Sequence, residues 1–259
     1  MQIDRKLSDC GSSPVCPAAY PTDTATWVMQ GKRSADSPAR RAELQVPADE
    51  VLSLVTPDVI DQIRRQRFMD ADQLGTWVLE RWEPAGADSF RAEFLDRYVV
   101  ESDEADFRAY VNGEGGPDQE TKAGWLDFLR SHTTPQVRDG ASFAARTWRV
   151  VHVVDSRALT PYLRFEIEWC YPDNIAAGAD VRILDKAEVE VPTWLLDLDD
   201  FYIVDGHAVV LAYDRAGEYL HALELEKADR LASARDLLWE AATPFAAWWA
   251  RHPESRRAT

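Results

Sequence analysis

The segment at residues 201–225, FYIVDGHAVVLAYDRAGEYLHALEL, restricts the fold of this chain more than any other. It contains three runs of β-branched and aromatic residues, which are separated by Asp205-Gly206 and by the turn sequence DRAG. Asp-Gly between two such runs is one of the strongest short-range signals for a β-hairpin. The segment therefore predicts three consecutive antiparallel strands.

Two further strands are predicted upstream, in ARTWRVVHVVD and in ADVRILD. The segment between them has Thr160 as a helix cap and Pro161 at the first helical position, which predicts a helix. The apolar alternation in LRFEIEW leaves a strand as the alternative. We expect Pro172 to end this helix and Asn174 to cap a short turn after it.

Helices are predicted in the part of the chain that precedes these strands and in the part that follows them. They are expected at residues 69–82, around the helically spaced Phe90, Phe94 and Leu95, from the cap Ser102 to Asn112-Gly113, and near the C-terminus with a break at Pro244. The fold class is therefore α+β, with a mostly antiparallel sheet of about five strands covered by helices.

The first 68 residues have a different character. Residues 1–16 are predicted to be a flexible leader, and residues 17–68 a small ββα unit. Its strands are expected at residues 24–29 and in EVLSLV, and its helix begins with Thr56 as cap and Pro57 at the first position. Residues 69–259 then form the main domain.

The composition of the chain restricts the kinds of molecule that it is expected to bind. The formal net charge is −16, which disfavours binding to nucleic acid and favours a protein partner with a basic surface. No apolar run approaches the roughly 20 residues of a membrane span, and the N-terminus lacks a secretory signal. The three cysteines do not suggest a disulfide framework, so we expect a cytoplasmic protein without membrane contact.

The richest cluster of polar and aromatic residues lies at residues 160–184. Its candidate ligand- or partner-binding residues are Tyr162, Arg164, Glu166, Trp169, Tyr171, Asn174 and Arg182. On a helix, Tyr162, Glu166 and Trp169 would share one face. Arg164 or Arg182 could then hold a small anionic or planar ligand, with Glu166 as an acid or base. The alternative is a closed network in which these groups satisfy each other at a helix-to-strand corner.

Motifs of known chemistry are missing from the sequence. It contains no phosphate-binding loop, nucleophile elbow, dinucleotide fingerprint or paired-histidine zinc motif. His152, His207 and His221 fall in predicted strands and could converge, although simple sheet-face histidines are the favoured interpretation. No metal or cofactor is therefore predicted, the catalytic residues are unknown, and whether the protein is an enzyme is left open.

Residues 88–246 resemble a known family. The run from Tyr162 to Arg182, together with DDFYIVDGHAVVLAYDRAGEYLHALEL and ATPF, is similar to an actinobacterial domain of unknown function. That domain is often encoded beside Xre-type helix-turn-helix regulators, and residues 17–68 resemble small uncharacterised actinobacterial companion proteins. The resemblance implies an intracellular setting near regulators or specialised-metabolite genes, and it carries no catalytic residue.

Two functions follow as hypotheses. The first is a regulatory or accessory protein that binds a protein partner, such as a helix-turn-helix regulator or a pathway enzyme. The second is an enzyme or small-molecule-binding protein that uses the residues from Tyr162 to Arg182.

Overall fold

The computed structural model describes residues 18–21, 27–30, 68–114, 116–138, 141–214, 216–225 and 227–256. The chain divides into two compact units, Met1–Phe68 and Met69–Thr259. In the first unit, β1 (Ala18–Pro21) pairs antiparallel with β2 (Trp27–Gln30), so β2 contains the end of the strand predicted at residues 24–29. The predicted leader, the strand EVLSLV and the helix from Thr56 lie outside the described residues.

The main sheet has eight strands in the order β12-β8-β7-β4-β9-β10-β11-β3. The strands after β2 are β3 (Phe68–Met69), β4 (Asp88–Glu93), β5 (Gln136–Arg138), β6 (Ala141–Phe143), β7 (Thr147–Val154), β8 (Asp180–Asp185), β9 (Phe201–Val204), β10 (His207–Tyr213), β11 (Tyr219–Leu225) and β12 (Thr243–Pro244). β5 and β6 form a separate hairpin.

The helices of the described region connect and cover these strands. They are α1 (Ala71–Trp82), α2 (Glu104–Val111), α3 (Gln119–Thr133), α4 (Pro161–Phe165), α5 (Tyr171–Ala176), α6 (Thr193–Leu196), α7 (Asp229–Ala241) and α8 (Phe245–Arg251). None of them is long and apolar enough to cross a membrane.

The α+β class is confirmed, but the expected sheet of about five mostly antiparallel strands is wrong. The predicted meander β9–β10–β11 is present, and it accounts for only part of a mixed sheet. β4 pairs parallel with β7, and β7 pairs parallel with β8. Parallel neighbours need long crossover connections, here the helical segments between β4 and β7 and between β7 and β8, and such connections leave no hairpin signal in the sequence.

The helix predicted around Phe90 and Phe94 is also wrong, because this segment is β4. Phe90 and Ala92 are buried in the apolar cluster on the α7 face of the sheet. The alternating residues Ser89 and Glu93 are polar yet almost fully buried. The helical spacing of Phe90, Phe94 and Leu95 competes with the period-two alternation of residues 89–93, which explains the error.

The helix that joins β7 to β8 begins as predicted but continues further. The Thr160 hydroxyl accepts a hydrogen bond from the Leu163 backbone N–H, and Pro161 occupies the first turn. A π-helical turn, Glu166–Cys170, then joins α4 to α5, with the Tyr171 N–H bonded to the Glu166 carbonyl. The helical path therefore passes Pro172, and Asn174 lies inside α5 instead of capping a separate turn.

The predicted boundaries of α2 are partly confirmed. Asn112 ends the helix, and Gly113 follows with a φ of 80°. Ser102 does not cap it, because a short 3-10 turn at Glu101–Asp103 precedes the helix.

Candidate functional site

A cavity of about 580 Å³ lies between one face of the sheet and the helices α1, α3, α4 and α5. Apolar side chains form much of its wall, among them Leu74, Val78, Leu126, Val150 and Val181. Leu79, Val100 and Trp125 also line it and are 40–45% exposed, so the cavity reaches the protein surface beside them. This size and lining are typical of pockets that hold small organic molecules.

A group of buried ionisable side chains forms the polar end of the cavity. Arg91 and Glu93 come from β4, and Glu166 comes from the π-helical turn. Arg91 Nη1 lies 3.0 Å from Glu93 Oε1, and its guanidinium lies between the rings of Tyr98 and Tyr202, at 5.5 and 5.3 Å from their centroids. The arginine is thus held by one carboxylate and two aromatic faces.

His152 of β7 lies directly behind this polar end and is fully buried. Its Nε2 is 3.0 Å from the Leu95 carbonyl oxygen, which can only accept, so Nε2 carries a proton. Its Nδ1 contacts the Tyr171 hydroxyl. Burial lowers the pKa of His152, although Glu93 opposes this effect, and the neutral imidazole with its proton on Nε2 is therefore favoured.

The Tyr171 hydroxyl connects His152 to Glu93. It lies 3.1 Å from Glu93 Oε2, and it offers only one proton to two neighbours that both accept in their unprotonated forms. The Tyr171 hydroxyl can therefore donate to one of these two acceptors at a time. The three side chains therefore form one proton-sharing unit next to the cavity.

Glu166 has an unmet hydrogen-bonding capacity. The residue is 8% exposed, and its buried Oε2 atom has no hydrogen-bond partner within the described part of the chain. Burial, followed by the proximity of Glu93, raises the pKa of Glu166 well above its usual range. This shift favours the protonated carboxyl, which can donate a hydrogen bond.

Tyr162 is the second lining residue with an unpaired group. Among the residues that the structure places, none bonds to its buried hydroxyl. Burial, and then Glu166, raise the pKa of this hydroxyl, so it remains a neutral donor and acceptor. Two polar groups on adjacent turns of one helix thus line the same cavity without protein partners.

Four of the seven sequence-predicted site residues line the cavity: Tyr162, Glu166, Tyr171 and Asn174. The Asn174 side-chain oxygen accepts a hydrogen bond from Trp125 Nε1 at 3.1 Å. This bond joins α5 to α3 at the edge of the cavity.

The other three predicted residues lie outside the cavity. Arg164 donates to the Glu254 and Ser255 carbonyls at 3.1 and 2.8 Å. Arg182 stacks on Trp239, 3.9 Å from its ring centroid, and bonds to the Trp239 carbonyl. The two arginines expected to hold an anion are therefore engaged in packing the C-terminal helices.

Trp169 is displaced by the π-helical turn. This turn holds an extra residue, so the predicted common face of Tyr162, Glu166 and Trp169 does not extend to the tryptophan. Its ring instead packs edge-on against Tyr110, at a centroid distance of 5.2 Å, and against Phe165.

Sequence reasoning missed Arg91, Glu93, Tyr98, Lys122 and Tyr202, all of which line the cavity. The useful signal was the alternation in DSFRAE, which places Arg91 and Glu93 on the opposite face of a strand from Phe90 and Ala92.

The three strand histidines do not converge. His207 is exposed at the start of β10, and His221 lies in β11 opposite Ala212, whereas His152 lies in β7 beside Glu93. Their strand positions separate them.

Asp185, Glu188 and His252 place potential metal-binding atoms within 4.8 Å of one another. Other groups already engage these atoms: Arg251 bonds to Glu188 at 2.8 Å, and Trp248 Nε1 donates to Asp185 at 3.1 Å. The cluster is therefore best explained as an ion-paired network that attaches α8 to the end of β8.

Comparison with known proteins adds one match. Residues 78–250 match the family described as a domain of unknown function (DUF6879). This range includes α4, the π-helical turn, α5 and all the strands from β4 to β12. No curated protein matches the chain. The predicted resemblance to a domain of unknown function is thus confirmed at this level, and the chain belongs to the DUF6879 family.

Proposed function

We propose that this protein binds a small, planar organic molecule in the cavity beneath α4 and α5. The observation that carries this proposal is the unpaired Oε2 atom of Glu166, a buried carboxyl that lines a cavity of about 580 Å³. A buried polar group without a partner costs about 1–3 kcal/mol, so such groups are seldom retained without use.

The aromatic lining of the cavity supports a planar ligand. Tyr98, Tyr162, Tyr171, Trp125 and Trp148 all contribute to its wall. Aromatic side chains contact flat apolar ligands over large areas, and the hydroxyls of tyrosine add orienting hydrogen bonds. An apolar body would fill the cavity, and a polar end would meet Glu166 and Tyr162.

A thermal-shift screen tests this proposal. The screen uses planar compounds that are cationic, neutral and anionic, against the whole protein. A ligand at one hundred times its dissociation constant stabilises the folded state by about 2.7 kcal/mol. We expect at least one compound class to stabilise the protein, and Tyr162→Phe to weaken that effect.

Arg164→Ala is the control variant, because Arg164 lies outside the cavity and bonds to the C-terminal turn. It should lower the stability of the unliganded protein while leaving the ligand-induced shift intact. A screen without any stabilising compound would refute the proposal, as would equal loss of the shift in Arg164→Ala and Tyr162→Phe.

A regulatory or accessory role with a basic protein partner is the second proposal. Its support is the formal net charge of −16, which favours association with a positively charged surface. An actinobacterial, cytoplasmic setting beside helix-turn-helix regulators or specialised-metabolite genes belongs to this proposal. Affinity capture at low and high salt tests it: the expected partner is a basic protein that is released by salt, and salt-independent capture would contradict the electrostatic argument.

A further inference from the structure

The cations that line the cavity are already neutralised by protein groups. Arg91 bonds to Glu93 at 3.0 Å through Nη1. Lys122 Nζ lies 3.1 Å from the Trp169 carbonyl oxygen, 3.5 Å from Cys170 Sγ and 3.7 Å from Asp106 Oδ2. Neither side chain presents an uncompensated positive charge to a ligand.

The acids of the cavity outnumber these cations. Glu93, Asp103 and Glu166 all line it, and Asp106 lies behind Lys122. Among these acids, the Oε2 atom of Glu166 is the one that is both buried at the cavity wall and without a hydrogen-bond partner in the described region, where His152 Nδ1 lies 3.9 Å from it. A cation beside this atom would be compensated by ionisation of Glu166, whereas an anion would find no such compensation.

Aromatic rings surround the same position. Tyr98 and Tyr162 pack edge to face, with ring centroids 6.3 Å apart, and Tyr171 lines the cavity from the next turn of the helix. Tyrosine faces attract organic cations, and a carboxylate beside such faces strengthens the attraction in a site from which water is excluded.

We infer that the ligand carries a protonated amine, which lies beside Glu166 Oε2 and the rings of Tyr98 and Tyr162, while its planar apolar body extends towards Leu74, Val78 and Trp148. This inference rests on the proposed function and specifies the chemical class of the ligand. A small anion is disfavoured, because it would lie beside Glu93 in a buried site whose cations, Arg91 and Lys122, are already paired.

Binding of an ammonium group has a defined proton balance. Burial and the proximity of Glu93 favour the protonated form of Glu166 in the unliganded protein, and an adjacent cation favours its ionised form. Glu166 therefore releases its proton to the buffer, and the amine keeps its own. The titratable and charged groups that face Glu166 are Arg91 and Glu93 of β4, Asp103 of the 3-10 turn, His152 of β7, Tyr162 of α4, Cys170 of the π-helical turn, Tyr171 of α5 and Asp200 before β9.

Three indole compounds of similar shape distinguish the ligand classes: tryptamine is cationic, tryptophol is neutral and indolepropionate is anionic. We expect tryptamine to bind roughly tenfold more tightly than the other two. Calorimetry in buffers with different ionisation enthalpies should show the release of about one proton per tryptamine bound.

Glu166→Gln keeps the size and the neutral state of the side chain, so the variant should fold. It should weaken tryptamine binding by roughly ten- to a hundredfold and abolish proton release, with little effect on tryptophol. Glu190→Gln is the control, because Glu190 is exposed and lies outside the cavity lining.

The outcomes separate this inference from the proposed function. Tightest binding by indolepropionate or tryptophol would overturn the ammonium class and leave a ligand-binding cavity. Binding of none of the three compounds would also overturn the ammonium class, and the screen would then decide separately whether the cavity binds another ligand.

Discussion

The substitution Asp200→Asn tests whether burial in this region raises carboxyl pKa values as the site requires. Asp200 is 2% exposed and precedes β9. Its Oδ1 accepts the Phe94 backbone N–H at 2.8 Å, and its Oδ2 accepts the Tyr98 hydroxyl at 2.6 Å. Asparagine can keep both contacts, because its oxygen accepts from Phe94 and its amide donates to the tyrosine oxygen.

The expected change in the free energy of unfolding follows from the pKa of Asp200. Burial raises this pKa from 3.8 to about 7, although Arg91 and the Tyr98 hydrogen bond oppose the rise. The protonated carboxyl therefore stabilises the folded state fully below pH 3.8, and this contribution is lost as the pH rises through about 7. Because one pKa unit corresponds to about 1.4 kcal/mol, the loss amounts to about 4 kcal/mol.

Urea unfolding, followed by tryptophan fluorescence, measures this effect from about pH 4 to about pH 8. The variant and the parent protein should have similar stability at the acidic end. The variant should then become more stable by up to about 4 kcal/mol at the alkaline end. Asp127→Asn is the control substitution, because the Asp127 side chain is 75% exposed.

A flat difference curve for Asp200→Asn would refute the reasoning. It would show that Asp200 has the same pKa in the folded and unfolded states. The raised pKa of Glu166 has the same physical cause, desolvation by burial, so the argument for Glu166 would fail with it.

Three further substitutions have expected effects on stability or binding. Gly178→Ala should destabilise the protein by about 1–3 kcal/mol in urea unfolding, because Gly178 has a φ of 106° and an added Cβ would lie 2.1 Å from Thr133 Oγ1. Gly124→Ala is its control and should be stabilising, because an added Cβ meets nothing within 4 Å there. Tyr171→Phe should lower the free energy of unfolding by about 1–3 kcal/mol, since it removes the hydroxyl between His152 and Glu93. An unchanged free energy of unfolding would show that this hydroxyl is dispensable. Arg182→Met should lower the free energy of unfolding by about 1 kcal/mol through loss of the stacking on Trp239, and it should leave ligand affinity unchanged. Weakened binding would show that Arg182 belongs to the binding site.

Local signals predicted the elements that depend on short stretches of chain. The hairpin between β9 and β10 has positive φ angles of 48° at Asp205 and 81° at Gly206, as the Asp-Gly turn predicts. Thr160 caps the helix that follows β7, as its spacing to Pro161 predicts. Both features involve neighbouring residues, so a single sequence contains the necessary information.

The parallel register of the sheet could not be predicted in this way. Glu93 and His152 are register partners in β4 and β7, and their sequence separation places no local signal on either strand. The proton-sharing unit of His152, Tyr171 and Glu93 depends on this pairing, because each residue comes from a different element. Its chemistry therefore becomes visible only in three dimensions.

The π-helical turn is the reason why helical spacing predicted only part of the candidate site. Helical spacing placed Tyr162 and Glu166 on one face, and both line the cavity. The extra residue in the turn at Glu166–Cys170 then changes the direction of the following side chains. Trp169 consequently packs on Tyr110, while Tyr171 faces the cavity.

Ligand binding by Gly75→Leu and Gly124→Leu tests the central proposal most directly. Both glycines lie in exposed positions on helices, and an added Cβ meets nothing within 4 Å at either position. Leucine should therefore raise helix stability in both variants, by about 0.8–1 kcal/mol at most. Only Gly75 lines the cavity, where a leucine side chain would obstruct it.

The affinity of each variant is measured with the best compound from the thermal-shift screen. We predict that Gly75→Leu loses binding at least roughly tenfold while it remains folded, and that Gly124→Leu binds like the parent protein. Equal affinity in the two variants would contradict the claim that the cavity beneath α4 and α5 is the binding site.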